Sequence, residues 1–172
     1  MNRSRILLVS FLGCLVILTS SFDFDPVPES VYSAVLMTRP ELEKSIAFQN
    51  AKPIVQIGKI YKKGSWIFIT EKYKGIHLID NTNPASPVKA GFIRVPGCID
   101  IVMKNNSILA DNSVDLVTIE ISSLPEVKVT GRVRDVFPEL LPPDLQYIPY
   151  KFGKDARPEN TVIVEWKKSK EL

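Results

Sequence analysis

Three carboxylates, Asp100, Asp111 and Asp115, recur in one stretch of the chain, and a pair of carboxyls held at a fixed separation is the acid and base of glycoside cleavage. That separation depends on folding, so the residues name a chemistry without supplying it. Asp80, Asn81 and Asn83 place three oxygen-bearing side chains within four residues, a density found in calcium loops, which then need a Gly and a distal Glu. Pro84 follows instead, and Asx side chains that bond their own backbone in β-turns account for the same composition. His77 is the one histidine and lies between Ile76 and Leu78. With no second histidine for a metal set and no Ser or Cys in a nucleophile-elbow pattern, it reads as a strand residue rather than a base. Tyr61, Trp66, Tyr73, Tyr147, Tyr150 and Trp166 offer rings that could stack on a sugar or peptide, although aromatic residues at strand spacing more often fill a core. No catalytic, cofactor-binding or metal-binding residue is assigned on these patterns, and no cofactor is expected.

The two cysteines have different settings. Arg3 and Arg5 precede an apolar run from Ile6 to Leu18, followed by Thr19-Ser20-Ser21. The run is short of the ~20 residues that span a bilayer, and its small closing residues suit signal-peptidase cleavage before Phe22. An uncleaved anchor and a core helix are the alternatives. Lipidation at Cys14 is a second processing route, because Gly13-Cys14 is the pair that bacterial lipoprotein signals carry, but it would leave apolar Leu15 to Leu18 directly behind the lipid. After cleavage Cys98 is the one remaining thiol, so no internal disulfide forms, and its apolar surroundings point to an inert core position. Removing Arg3 and Arg5 from the chain's 22 basic residues leaves 20 against 19 acidic ones. Charges of both signs are interspersed, which argues against nucleic acid as a partner and against a polybasic membrane surface.

The elements that must carry these residues come in two copies. The pentad Ile76-His77-Leu78-Ile79-Asp80 recurs forty positions later as Leu116-Val117-Thr118-Ile119-Glu120. Ile67-Phe68 matches Ile108-Leu109 at an offset of 41, so one residue is lost in the intervening turn. A period of roughly 40–45 residues is that of a four-stranded propeller blade. Between turn signals the strands of the first copy are expected near Ile57–Lys62, Trp66–Thr70, Ile76–Asp80 and Val88–Val95, and those of the second near Ile99–Met103, Ile108–Ala110, Asp115–Ile121 and Lys128–Arg134. Trp66, Ile67, Phe68 and Ile69 are all apolar, which predicts a strand covered on both faces. Thr38-Arg39-Pro40-Glu41 has capping-box form, and Leu42 and Ile46 share a face, so one short helix is expected over about 39–48. Beyond Phe137 a long irregular segment is expected to pack down through Leu140, Leu141, Tyr147, Ile148 and Tyr150 before a last strand, Thr161 to Trp166. The expected fold class is all-β: two four-stranded antiparallel meanders of propeller-blade type and one short N-terminal helix. The organisation follows as a signal peptide over 1–21, an extended tether over 22–35, the helix and its lead-in over 36–53, β repeats over 54–97 and 98–137, and an irregular loop with a final strand over 138–172.

These residues resemble the LVIVD-repeat β-propeller lipoproteins of Gram-negative bacteria of the Bacteroidota type. Besides the two pentads, the likeness rests on Glu71-Lys72-Tyr73-Lys74-Gly75, Asp80-Asn81-Thr82-Asn83-Pro84, Pro96-Gly97, Ala110-Asp111, Val136-Phe137-Pro138, Met37 to Leu42 and Val162 to Trp166, and covers about positions 35–166. Ser20-Ser21 is followed by Phe22 where the family's signal box carries a Cys. The resemblance implies a scaffold without established activity, exported to the periplasm, the outer membrane or the cell surface. Two copies fall short of the four or so blades that close a ring, and they correspond to the N-terminal portion of such a propeller or to a short relative. The function expected is a non-enzymatic binding or assembly surface at the cell envelope, with a protein or glycan as partner and self-association through an uncovered blade face. The alternatives are an incomplete propeller without independent function and a propeller-type hydrolase, with a calcium-stabilised adhesin module as a third.

Overall fold

The computed structural model describes residues 28–169. The expected signal peptide and Cys14 therefore lie outside the described residues. Eleven strands are present among the described residues, and every strand pairing is antiparallel, so the fold is all-β.

In the first repeat β3 (Ile57–Lys63), β4 (Trp66–Glu71), β5 (Gly75–Asp80) and β6 (Val88–Arg94) form a meander, and in the second β7 (Ile101–Lys104), β8 (Ser107–Asn112), β9 (Asp115–Glu120) and β10 (Lys128–Val133) form another. The same devices shape both. Gly64 and Asn105, 41 positions apart, carry φ values of 58° and 51° in the first hairpin turns, a left-handed conformation that Gly and Asn adopt most easily. Leu78 pairs with Gly91 and Thr118 with Gly131, and in each fourth strand the register slips one residue earlier, at Ala90 and Thr130. Such bulges bend the outer strand and raise its twist.

The helix is shorter than the spacing predicts. Helix α1 covers Arg39–Glu43, with Thr38 accepting from the Glu41 N–H and the Glu41 carboxylate accepting from the Thr38 N–H. Ile46 is not helical: the chain straightens into β2 (Ala47–Gln49), which pairs with β6 and makes the first sheet five-stranded. Phe48 explains the choice, since its ring fills the space over Gly91 and packs on the core between the sheets. The segment 22–35 is not all tether either. β1 (Tyr32–Thr38) pairs with the last strand, β11 (Thr161–Lys168), as a separate ribbon, and alternates Ala34 and Leu36 on one side with Val35 and Met37 on the other.

One core joins the two repeat sheets. Phe68, Ile76, Leu78 and Ile93 of the first meet Ile101, Ile108, Val117 and Ile119 of the second, each at most 1% exposed. The ribbon β1–β11 lies across the ends of both. Its Ile163 and Trp166 pack with Tyr73 from the β4–β5 turn, while Val162 and Val164 pack with Val114 from the β8–β9 turn. Ser113 donates to the Ile163 carbonyl (2.7 Å) and Lys74 pairs with Glu165 (2.5 Å). The long segment after Phe137 forms an irregular cover, in which Leu140 is buried and accepts from Trp166 Nε1 at 2.8 Å. Ile148 is partly buried against the ribbon, but Leu141, Tyr147 and Tyr150 remain exposed, contrary to the expectation that all five pack down.

Candidate functional site

The fold brings Asp100 and Asp111 together and places Asp115 in a separate network. Asp115 is fully buried between two guanidiniums, with Arg39 Nη1 and Arg132 Nη1 each 2.7 Å from one of its oxygens and the Asp135 N–H donating at 3.1 Å. Burial alone would raise its pKa, yet these donors hold it below the usual carboxylate range. Arg39 also pairs with Asp135, so α1, β9, β10 and the chain leaving β10 are joined by one network of charges.

Asp111 has a different role. Its Oδ2 accepts the Asp100 N–H at 3.0 Å, and at the matching place in the first repeat Thr70 Oγ1 accepts the Lys59 N–H at 2.7 Å. Both acceptors and both donors are 41 positions apart, so Asp111 satisfies a backbone group that the repeat leaves free. Burial and the neighbouring Asp100 push its pKa up. Asp100 itself crosses between repeats, pairing with Lys59 and accepting from the Tyr61 hydroxyl. Burial raises the Tyr61 pKa first and the bond to Asp100 adds to it, bringing it to about 12. Each of these carboxylates is engaged by the fold.

The pentads divide between packing and turn formation. Ile76 and Leu78 enter the core, as do Val117 and Ile119, whereas Leu116 and Thr118 are half-buried on the outward face of the second sheet. Ile79 lies on the outward side of the first sheet. Asp80 Oδ1 accepts from the Thr82 N–H (2.9 Å) and Glu120 Oε1 from the Ser122 N–H (3.0 Å), so the closing acid of each pentad caps the turn that follows. Asn83 does the same for Ala85 at 3.2 Å, which gives the Asp80 to Asn83 cluster the turn chemistry expected of it. His77 Nε2 lies 2.5 Å from Glu71 Oε2, with both side chains nearly inaccessible, and its ring meets Phe92 edge-on at 4.7 Å. Lys52 sits 3.5 Å over the other ring of that stack, Phe92. The Cys98 thiol is buried and its pKa is pushed up by that burial.

The aromatic side chains do not gather into one stacking surface. Tyr61 and Trp66 pack against the inter-sheet core, and Tyr73 and Trp166 belong to the cluster under the ribbon. Tyr147 and Tyr150 line a cleft of about 320 Å³ with Pro28, Ser30 and Pro149, but the Tyr147 hydroxyl already donates to the Pro28 carbonyl. A second cleft of about 440 Å³ runs between Arg39, Asp135, Glu139, Lys154 and Arg157. Glu139 neutralises Arg157 and Asp135 neutralises Arg39, leaving no concentrated field of either sign. Among the described residues no group of three or more His, Cys, Asp or Glu is placed to hold a metal, and no helix is long and apolar enough to cross a membrane.

What remains outward is apolar strand surface. Ile60 on β3 and Val102 on β7 are 63% and 61% exposed, and Ile67, Ile69, Leu109 and Leu116 are half-buried. The expectation that β4 is covered on both faces thus holds for one face only, since Phe68 is buried and Ile67 and Ile69 are not. Strands β3, β7 and β10 also end their sheets unpaired. Burial alternates along Ser107–Asn112 and again along Asp115–Glu120, so each of these strands keeps one face in the core and turns the other outward. No protein-family model, curated protein or solved structure matches this chain.

Proposed function

We propose that this chain is an exported, non-enzymatic protein of the cell envelope whose two propeller-blade-type sheets serve as a binding or assembly surface for a protein or glycan. The observation that carries the reading is the apolar strand surface left open on both outer faces of the stacked sheets, with Ile60 on one and Val102 on the other more than half exposed; exposed apolar surface on a sheet face marks an interaction site. The signal-type N-terminus, the LVIVD-like pentads and the structural engagement of Asp100, Asp111 and Asp115 support it. Expression in a Gram-negative host followed by fractionation tests the location: the expected product begins at Phe22 and partitions with the envelope, whereas a cytoplasmic chain retaining Met1 overturns export. Assay against glycoside, ester and peptide substrates tests the rest. Turnover that disappears in D111N would replace this reading with that of a hydrolase.

A further inference from the structure

The repeat offset relates faces as well as strands. In the first sheet Tyr61, Phe68, Leu78 and Gly91 lie in one cross-strand row on the buried side. Adding 41 to the first two and 40 to the last two gives Val102, Leu109, Thr118 and Gly131, which form the corresponding row of the second sheet. That row faces outward. Conversely, the row Ile60-Ile69-His77 on the other side of the first sheet, open at Ile60 and closed over at His77 and Phe92, corresponds to Ile101-Ala110-Val117, which is buried between the sheets. The sheets therefore stack in the same sense, the back of one on the front of the next. Among the described residues this leaves open a back, around Val102 and Leu109, and the Ile60–Ile69 part of a front, of the same two kinds that already pack together between the sheets.

The charges repeat the pattern. Within the chain Lys59 of the first sheet pairs with Asp100 of the second, and these two residues occupy equivalent places, each with its N–H held by Thr70 or Asp111. A second molecule placed by the same operation would set its Lys59 beside the first molecule's Asp100.

From this continuity we infer that the occupant of the outward faces is a second copy of the chain, associating head to tail. The Val102–Leu109 face of each molecule covers the Ile60–Ile69 face of the other. Two molecules supply four sheets, the smallest number with which propellers close, and a heterologous contact that closes gives a finite ring rather than a filament. In that ring Lys59 and Asp100 alternate around the inner strands, each between two partners of opposite sign. The inference rests on the assembly-surface reading above and names its partner.

Sedimentation equilibrium on the purified chain provides the test. The expected species has twice the protomer mass. I60D and V102D, both changes at exposed positions, are each expected to be monomeric with an unchanged circular-dichroism spectrum. Mixing them is expected to restore a dimer, because the intact back of I60D meets the intact front of V102D. I60T and V102T, which keep the β-branched shape, replace either variant if it does not fold. A monomeric wild type, a mass other than double, a single variant that remains dimeric, or a mixture that stays monomeric overturns the inference. A monomer that still partitions with the envelope removes this inference and leaves the proposed function, whereas a cytoplasmic dimer removes export and leaves the inference.

Discussion

Asp115 shows how a residue with catalytic credentials becomes part of the frame. A carboxylate with no exposed surface and two guanidiniums at 2.7 Å loses far more when one partner is removed than the pair contributes, because the remaining charges stay buried. D115N is expected to cost about 3 kcal/mol in urea unfolding. The pH dependence follows from the same contacts: the folded pKa lies below the unfolded value near ~3.9, so this stability is present above that value and is lost as pH falls through the folded pKa. The wild type should weaken below about pH 4, and D115N should show a shallower acid limb. Asp111 has the opposite sign. Its raised pKa makes ionisation at neutral pH unfavourable to the fold, and D111N, whose amide oxygen can still accept the Asp100 N–H, should match or exceed the wild-type melting temperature at pH 7. Replacing His77 by Ala would leave Glu71 buried without its partner and a void beside Phe92, with an expected loss of about 2–4 kcal/mol. These roles were only partly legible in the sequence. The turn-forming part of Asp80 and Asn83 follows from local chemistry, but Asp115 meets Arg39 across 76 residues, a contact that strand periodicity does not encode.

At the scale of elements, the strands were legible because alternation and turn residues are local, whereas their partners were not. β1 was concealed by the proline-bearing segment before it, and the helix was overestimated because Leu42 and Ile46 fit a helical stripe that Phe48 then overrides by filling the space over Gly91. The joint between the repeats depends on close backbone approach. Gly97 has φ +77°, and a Cβ there would lie 2.5 Å from the Ser113 nitrogen. Asn112 Nδ2 donates to the Pro96 carbonyl at 2.8 Å, while the Tyr73 N–H donates to the Cys98 carbonyl at 2.7 Å. G97A is therefore expected to destabilise by more than about 1 kcal/mol, and hydrogen exchange should rise at the Tyr73 and Ser113 turns together. W166A removes the buried ring of the ribbon and its bond to Leu140. A loss of about 3–5 kcal/mol is expected in denaturant unfolding.

For the whole molecule, the apolar strand surface left open at Ile60 and Val102 predicts a stability linked to concentration. If copies cover one another, the melting temperature of the wild type should rise with protein concentration by mass action, while that of I60D should stay constant. The fold class was legible from the forty-residue period, since periodic apolar residues must be buried by neighbouring copies. Which face remains open was not, because it depends on the sense in which the sheets stack. The ribbon adds a mechanical consequence. Tyr32 faces Lys168 and Ser33 lies beside Ser169, so a pull applied through residues 31 and 169 loads the pairing at one end and peels it bond by bond instead of shearing it. Under tension the molecule should shed this strap first at low force, exposing both inner turns while the paired sheets remain joined through Pro96, Gly97 and Cys98. Single-molecule stretching should register that release as a separate, early step.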